Sequence, residues 1–309
     1  MTGQLQSVLH PAGPDAVIIS QFAWVMFGVG TLIFIGVMVL LALGVKRAPR
    51  QVRPLRWIAG AGIAFPLVVL SALLAWSTWR SAQLTPQSSK ASLVISVTAK
   101  MWWWEVRYHD PVSGREVISA NEIRIPAGRD VYVALSATDV IHSLWVPALA
   151  GKRDMVPGRM TGLTLMADKP GVYRGQCAEY CGTQHARMAL HVVAETPAAF
   201  EAWLARERQD AAAPTHAVLE RGRQAFIGQR CVACHTVRGL PGESRLGPDL
   251  THVGSRLHIA AGTLRNHRGT LAGWIADPQS IKPGARMPGA SDIDGETLSA
   301  LAAYLEHLK

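Results

Sequence analysis

Charge is missing from two long stretches of the chain: no residue between Asp15 and Lys46 is charged, and none between Arg56 and Arg80. About 20 helical residues at ~1.5 Å rise cross a ~30 Å hydrocarbon core, whereas core helices of soluble proteins are usually shorter and amphipathic. The absence excludes a wholly soluble chain and predicts a transmembrane hairpin with helices over about 17–45 and 57–79. Acids are missing from the connection, where Lys46, Arg47, Arg50, Arg53 and Arg56 supply five of the net +9 charges. Charge so concentrated is not a nucleic-acid surface. The positive-inside rule puts it in the cytoplasm and both termini outside. The N-terminus lacks basic residues and the first apolar run is too long for an ordinary signal-peptide core, so no cleavable signal is read; a leader removed before residue 1 stays open.

Beyond the second run the sequence changes period. "SAQLTPQSSK" is polar and reads as a linker. "SLVISVTAK", "WWWEVRYHD", "REVISA", "NEIRIPAG", "RDVYVALSA", "MTGLTLMADKPGVYRGQC" and "MALHVVAET" are rich in β-branched and aromatic residues and punctuated by Gly, Pro, Asn and Asp. They predict roughly seven to nine strands, enough for a sandwich or barrel. After the helix "PAAFEAWLARER", a second boundary falls at "RQDAAAPTH". The remainder has helices at both ends and Gly/Pro-rich loops between, a domain too small for a generous core unless something fills it. The expected organisation is a membrane hairpin in 1–80, an all-β domain in 81–213 and a small all-α domain in 214–309.

Cysteine is scarce, four residues in two pairs. "CVACH", residues 231–235, is the C-x-x-C-H haem-attachment pattern, in which Cys231 and Cys234 form thioethers and His235 sits beneath the iron. A zinc site would need a second cysteine pair in this domain, and a redox dithiol a βαβ context. Met287, in "KPGARMPGA", is the only methionine after His235 and thus the expected sixth ligand; His252, His258, His267 and His307 are the alternatives. Methionine opposite histidine raises the potential of an electron-transfer haem.

The other pair lies in "CAEYCGTQHARM". Its two cysteines could close a disulfide, as extracytoplasmic cysteines often do. Yet Cys181 is followed by His185 and Met188, and "TDVIHSLWVP" presents His142 at the end of a strand. Thiolate, imidazole and thioether on a β scaffold select copper. Two thiolates can bridge two coppers with one imidazole on each.

With these motifs the chain resembles subunit II of cytochrome c oxidase, in the bacterial variant with a fused C-terminal cytochrome c. "CAEYCGTQHARM" follows that family's pattern C-x-E-x-C-x-x-x-H-x-x-M. The resemblance implies a cupredoxin-like domain with a dinuclear CuA centre and a class I cytochrome c domain. It implies that His142, Cys177, Cys181, His185 and Met188 ligate copper through side chains and Glu179 through its carbonyl. The side chain of Glu179 would reach a magnesium ion shared with subunit I. In "MWWWEVRY", Trp102 matches the tryptophan through which electrons approach copper, while Trp103 and Trp104 read equally well as packing.

The implied function is electron transfer from haem c to CuA and on to subunit I, where oxygen is reduced to water. Neither membrane run holds a histidine, so the oxygen-reducing centre belongs to that partner. Subunit III and an external donor, a cytochrome c or a quinol-oxidising complex, complete the expected partners. The expected location is the bacterial inner membrane, with both soluble domains on the periplasmic face. Two features depart from the family: "RPLRWIAGAGIAF" lacks the glutamate often found near the inner end of the second helix, and no acid-rich face for a separate cytochrome c is evident. The alternative function is the CuA-bearing subunit of a nitric oxide reductase. A copper chaperone is disfavoured by the hairpin, the second histidine and the haem motif.

Overall fold

The computed structural model describes residues 6–46, 52–84, 93–109, 116–290 and 292–309. The chain divides into two units, residues 15–86 and residues 87–309 together with the first fourteen. Arg47 and Arg50 of the basic connection, and most of the polar linker after the second run, lie outside the described residues.

The smaller unit is a pair of helices, each long and apolar enough to cross a membrane. Helix α1 spans Pro14–Lys46, 33 residues. The second rod begins as α2 (Pro54–Trp57), widens into a π-helical turn over Ile58–Ala64 and continues as α3 (Phe65–Ser81). Pro66 accounts for the widening, because it has no N–H to donate and its ring would strike the carbonyl one turn back. Phe22 meets Trp76 edge-on with ring centroids 4.8 Å apart, and Arg80 donates to Gln21. Phe27, Leu32, Phe34, Leu67 and Leu74 point outward and exposed, as a lipid-facing surface requires.

Among the described residues of the larger unit, ten strands form two five-stranded sheets. One has the order β3 (Glu116–Ala120), β2 (Trp103–His109), β1 (Leu93–Lys100), β5 (Val131–Ala137), β8 (Thr161–Leu165). The other runs β4 (Glu122–Pro126), β10 (Ala189–Glu195), β9 (Gly171–Cys177), β6 (His142–Trp145), β7 (Arg153–Met155). Alternation decides which face is the core. Ile95, Val97 and Ala99 of β1 are fully buried, and its parallel register sets Ile95 beside Val133 and Val97 beside Leu135 of β5. Helix α4 (Pro197–Glu207), capped by Thr196, closes one side by setting Trp203 edge-on against Tyr108.

The C-terminal domain packs α5 (Ala217–Gly228) across the last helix, α8 (Gly295–His307), with α6 (Arg268–Ala276), the short α7 (Pro278–Ile281) and the two-residue strands β11 (His258–Ile259) and β12 (Leu264–Arg265) beside them. The crossing depends on Gly222, where a Cβ would come within 2.2 Å of the Ala300 carbonyl oxygen. Phe226, Leu271, Ile275, Leu301, Tyr304 and Leu305 make the core. The expected linker around 208–216 is tied down: Arg238 donates to the carbonyls of Glu207 and Gln209, and His307 to that of Ala213.

Strand β10 explains why the two soluble domains form one unit. Leu190, Val192 and Ala194 face the sandwich core, yet Ala189, His191 and Val193 on the opposite side are buried as well. The C-terminal domain contributes to that cover, with His258 stacked on His191 at 4.1 Å and the Ala189 amide donating to Ala261. Burial, with His258 and Arg174 as neighbours, pulls His191 down to about 4, and burial lowers His258 too. Facing the stack are Arg174 on β9, Glu122 on β4 and Arg265 on β12. An unfolded imidazole titrates near 6.5. The folded protein therefore holds fewer protons between about 4 and 6.5, and its stability falls as pH falls through that window. We expect a loss on the order of 3 kcal/mol by pH 4, seen as a falling thermal midpoint whose slope His191→Leu flattens.

Candidate functional site

Strands β6 and β9 lie side by side with Leu144 opposite Cys177, so the start of one and the end of the other meet at one edge of the sandwich. His142 opens β6 and Cys177 closes β9. The loop from Ala178 returns through a short turn at His185–Arg187 into β10. Its base is closed by the Cys177 amide donating to Met188 and the Ala178 amide to Ser143, each at 2.9 Å.

This brings together the donors expected from the sequence. Cys177 Sγ stands 3.7 Å from Cys181 Sγ, 3.8 Å from His142 Nδ1 and 3.2 Å from the Glu179 carbonyl oxygen. Cys181 Sγ stands 3.5 Å from His185 Nδ1 and 3.8 Å from Met188 Sδ. Both thiols are free. His142, Cys177, Cys181 and Met188 are buried, and His185 is half-buried. The two sulfurs share one hydrogen bond, which pulls the pKa of Cys177 down to about 3 and pushes that of Cys181 upward. Two cysteine sulfurs, two imidazoles and a thioether, largely shielded from water, form a soft donor set that fits copper.

Asp139 was not read from the sequence, although it precedes His142 by only three residues. Its Oδ1 lies 2.8 Å from His142 Nε2 and its Oδ2 accepts from the Met101 amide at 2.7 Å. The carboxylate orients the ring with Nδ1 toward the sulfur, as carboxylate partners of metal-binding histidines do. Burial opposes protonation of His142, but Cys177 and Asp139 outweigh it and its pKa is raised. Trp102 donates its indole N–H to the Cys181 carbonyl at 2.8 Å. Gly182, at φ +108°, lets the ring lie close: a Cβ there would sit 3.1 Å from Trp102 Cζ2. Trp104 is core, fully buried beside His142, while Lys100 lies over Trp103 at 4.8 Å.

In the C-terminal domain, a short turn at Cys231–Ala233 sets up the motif. His235 Nδ1 donates to the Pro248 carbonyl at 2.7 Å, which fixes the tautomer and leaves Nε2 free to ligate. Burial lowers the pKa of His235, so the ring is neutral. Met287 packs on the same apolar cluster as Cys231, Leu240 and Trp274, surroundings suited to a flat apolar group. The four alternative histidines that follow His235 in sequence are engaged elsewhere. His252 lies at 3.0 Å from the Gln209 carbonyl oxygen, His258 stacks on His191, His267 caps α6 and His307 holds Ala213.

Residues 112–195 match the family described as cytochrome c oxidase subunit II, periplasmic domain, and residues 219–309 match cytochrome c. The first of these domains implies CuA copper and the second haem c, while two membrane-length helices and a periplasmic domain fit a membrane protein. The chain is 38% identical to cytochrome c oxidase subunit 2 of Alkalihalophilus pseudofirmus over 224 residues, 72% of this chain and 64% of that protein. It therefore spans somewhat less than two thirds of that relative's length. With the subunit 2 of Bacillus sp. (strain PS3) it shares 33% identity over 259 residues, 79% of this chain and 71% of the relative. The solved periplasmic domain of subunit II of cytochrome oxidase from Bradyrhizobium japonicum is 30% identical, with a TM-score of 0.37, covering 40% of this chain and 97% of that one.

Proposed function

The chain belongs to the cytochrome c oxidase subunit 2 family, and from that premise we propose that it is the electron inlet of a haem–copper oxidase. The observation that carries this is the pair of sulfurs 3.7 Å apart, each with its own imidazole within 3.8 Å. His142, Cys177, Cys181, His185, Met188 and the Glu179 carbonyl would hold two copper ions. Cys231, Cys234, His235 and Met287 would hold a haem. When bound, these groups supply one-electron redox chemistry, and the reduction of oxygen belongs to subunit I.

The residues prepare the site before any metal arrives. The Cys181 side chain pulls the Cys177 thiol toward ionisation, Asp139 aims His142, and burial keeps water from the sulfurs. His235 is neutral and held by Pro248, so it ligates without losing a proton first. Trp102 touches the Cys181 carbonyl and would be the residue through which electrons reach the copper site. The carboxylate of Glu179, joined by Lys152 to Asp154, would supply an oxygen donor to a magnesium ion shared with subunit I. Subunit III and an external cytochrome c or quinol-oxidising donor complete the assembly, with both soluble domains on the periplasmic face of the inner membrane.

The order of transfer is testable at His185. In the assembled complex, His185→Asn should leave the C-terminal domain reducible by an external donor but stop its reoxidation by oxygen. Stopped-flow absorbance at the haem band reads both phases. Reoxidation at the wild-type rate in a copper-free variant would mean that this domain feeds the partner by a separate route.

A further inference from the structure

We propose that Lys282 is a positioning residue: it fixes the loop carrying Met287 against Trp102 and the 181–188 loop, so that the two cofactor sites keep one relative geometry. This rests on the proposed copper and haem assignments.

Lys282 follows α7 in "SIKPGARM" and is only 3% exposed, unusual for a lysine. Burial pushes its pKa down to about 7. A buried ammonium is tolerated when its donors are used. Here Nζ donates to the carbonyls of Trp102 at 2.7 Å and Arg187 at 2.9 Å, with that of Ala260 at 3.4 Å. Two of these acceptors belong to the copper domain and the third to the C-terminal domain, so one side chain ties together three segments distant in sequence.

Neighbouring contacts lie along the same seam. Gln184, in the copper loop, donates to the Pro283 carbonyl at 2.7 Å, and Arg187 donates to that of Ile281. A Cβ on Gly284 would lie 3.7 Å from the six-membered ring of Trp102, whose N–H is already on the Cys181 carbonyl. On the far side, Gln279 donates to the carbonyls of Ala285 and Met287 and accepts from the Gly284 amide. The stretch from Lys282 to Met287 is thus braced at both ends, against the copper loop at one and against α7 at the other. Trp102 sits between the copper loop and this stretch. A separate electron carrier would have to find that position by diffusion, whereas this chain holds it with buried hydrogen bonds.

The test uses the full chain loaded with haem and copper, comparing wild type with Lys282→Met, which keeps the length and removes every donor. Paramagnetic resonance of the copper site and the haem potential should be unchanged in the variant, because no ligand is touched. Electron equilibration between haem and copper after flash reduction should slow about ten-fold or more, the weight of one or two lost charge-assisted hydrogen bonds on a docked population. Amide exchange over 182–188 and 283–287 should accelerate in the metal-free chain as well. If Lys282→Met does not fold, Gln184→Leu, which removes the donor to Pro283, should shift both readouts in the same direction. Wild-type transfer rates in a folded variant with unchanged spectra overturn the role of Lys282 alone. A wild-type chain that takes up no paired copper or no haem overturns the assignments beneath it.

Discussion

A Cys177→Ser chain is expected to emerge from copper loading without a paired-copper signal. Wild type should show one unpaired electron shared by two copper nuclei, and the variant either a four-line single-copper spectrum or none. Thiolate, not thiol, binds the metal, and Cys177 is the group already pulled down to about 3, chiefly by the hydrogen bond with Cys181. A serine hydroxyl does not ionise near neutrality and offers a hard oxygen where copper prefers sulfur. Cys181 would be left as the one cysteine of the pair able to hold copper, no longer hydrogen-bonded to a second sulfur. Changes to the partners of metal ligands alone cost roughly 10–100-fold in affinity, so losing a bridging ligand should exceed ~100-fold. The C-terminal domain provides the internal control, because Cys231 packs on a core separate from that of Cys177 and the haem absorbance should be retained. A shared-electron spectrum surviving in Cys177→Ser would remove Cys177 from the ligand set.

How far the sequence reaches can be judged element by element. The donors that the structure brings together were legible because four of them lie within twelve residues, and His142 because it sits in an apolar setting beside a strand. The two long apolar helices were legible from missing charge, though Pro66 and its π-helical turn were not drawn from the pattern. The expectation of seven to nine strands falls short of the ten that the described residues form in the two sheets, because β7 is only three residues long. "RDM" has no β-branched residue and no alternation, and becomes a strand only because Met155 pairs with His142.

The docking of the two soluble domains was least visible, for a physical reason. "RQDAAAPTH" is polar and reads as a loose tether, yet what pins it is Arg238, some thirty residues on. A weak signal did exist in "MALHVVAET", which is apolar on both faces of a strand that a free-standing sandwich would leave half wet. Lys282 gave none, because nothing in "SIKPG" says that a lysine will be buried. Its partners are backbone carbonyls, which every sequence supplies everywhere.

Met287→Ala should keep the haem attached, lower its potential and open the iron's sixth position. Attachment depends on Cys231 and Cys234, which the substitution leaves untouched. The fall in potential follows from losing a soft thioether that favours the reduced iron, and on the scale of ~0.8 V over which axial ligands act, a drop on the order of 100 mV is expected. Whether a neighbour could replace the lost ligand is decided by the surroundings. His252, His258, His267 and His307 each have another task, and the 282–287 loop is braced by Lys282, Gln184 and Gln279, so its backbone should stay where methionine held it. The vacancy should therefore be filled by water or a weak exogenous ligand. The haem should gain high-spin character and bind added imidazole or cyanide, which wild type resists. Reduced-minus-oxidised spectra and a redox titration read both properties on one sample. A low-spin spectrum with an unchanged potential would show that another residue holds the sixth position. A low-spin spectrum with a potential lowered well beyond that estimate would show that a histidine has left its present partner to take the place of Met287.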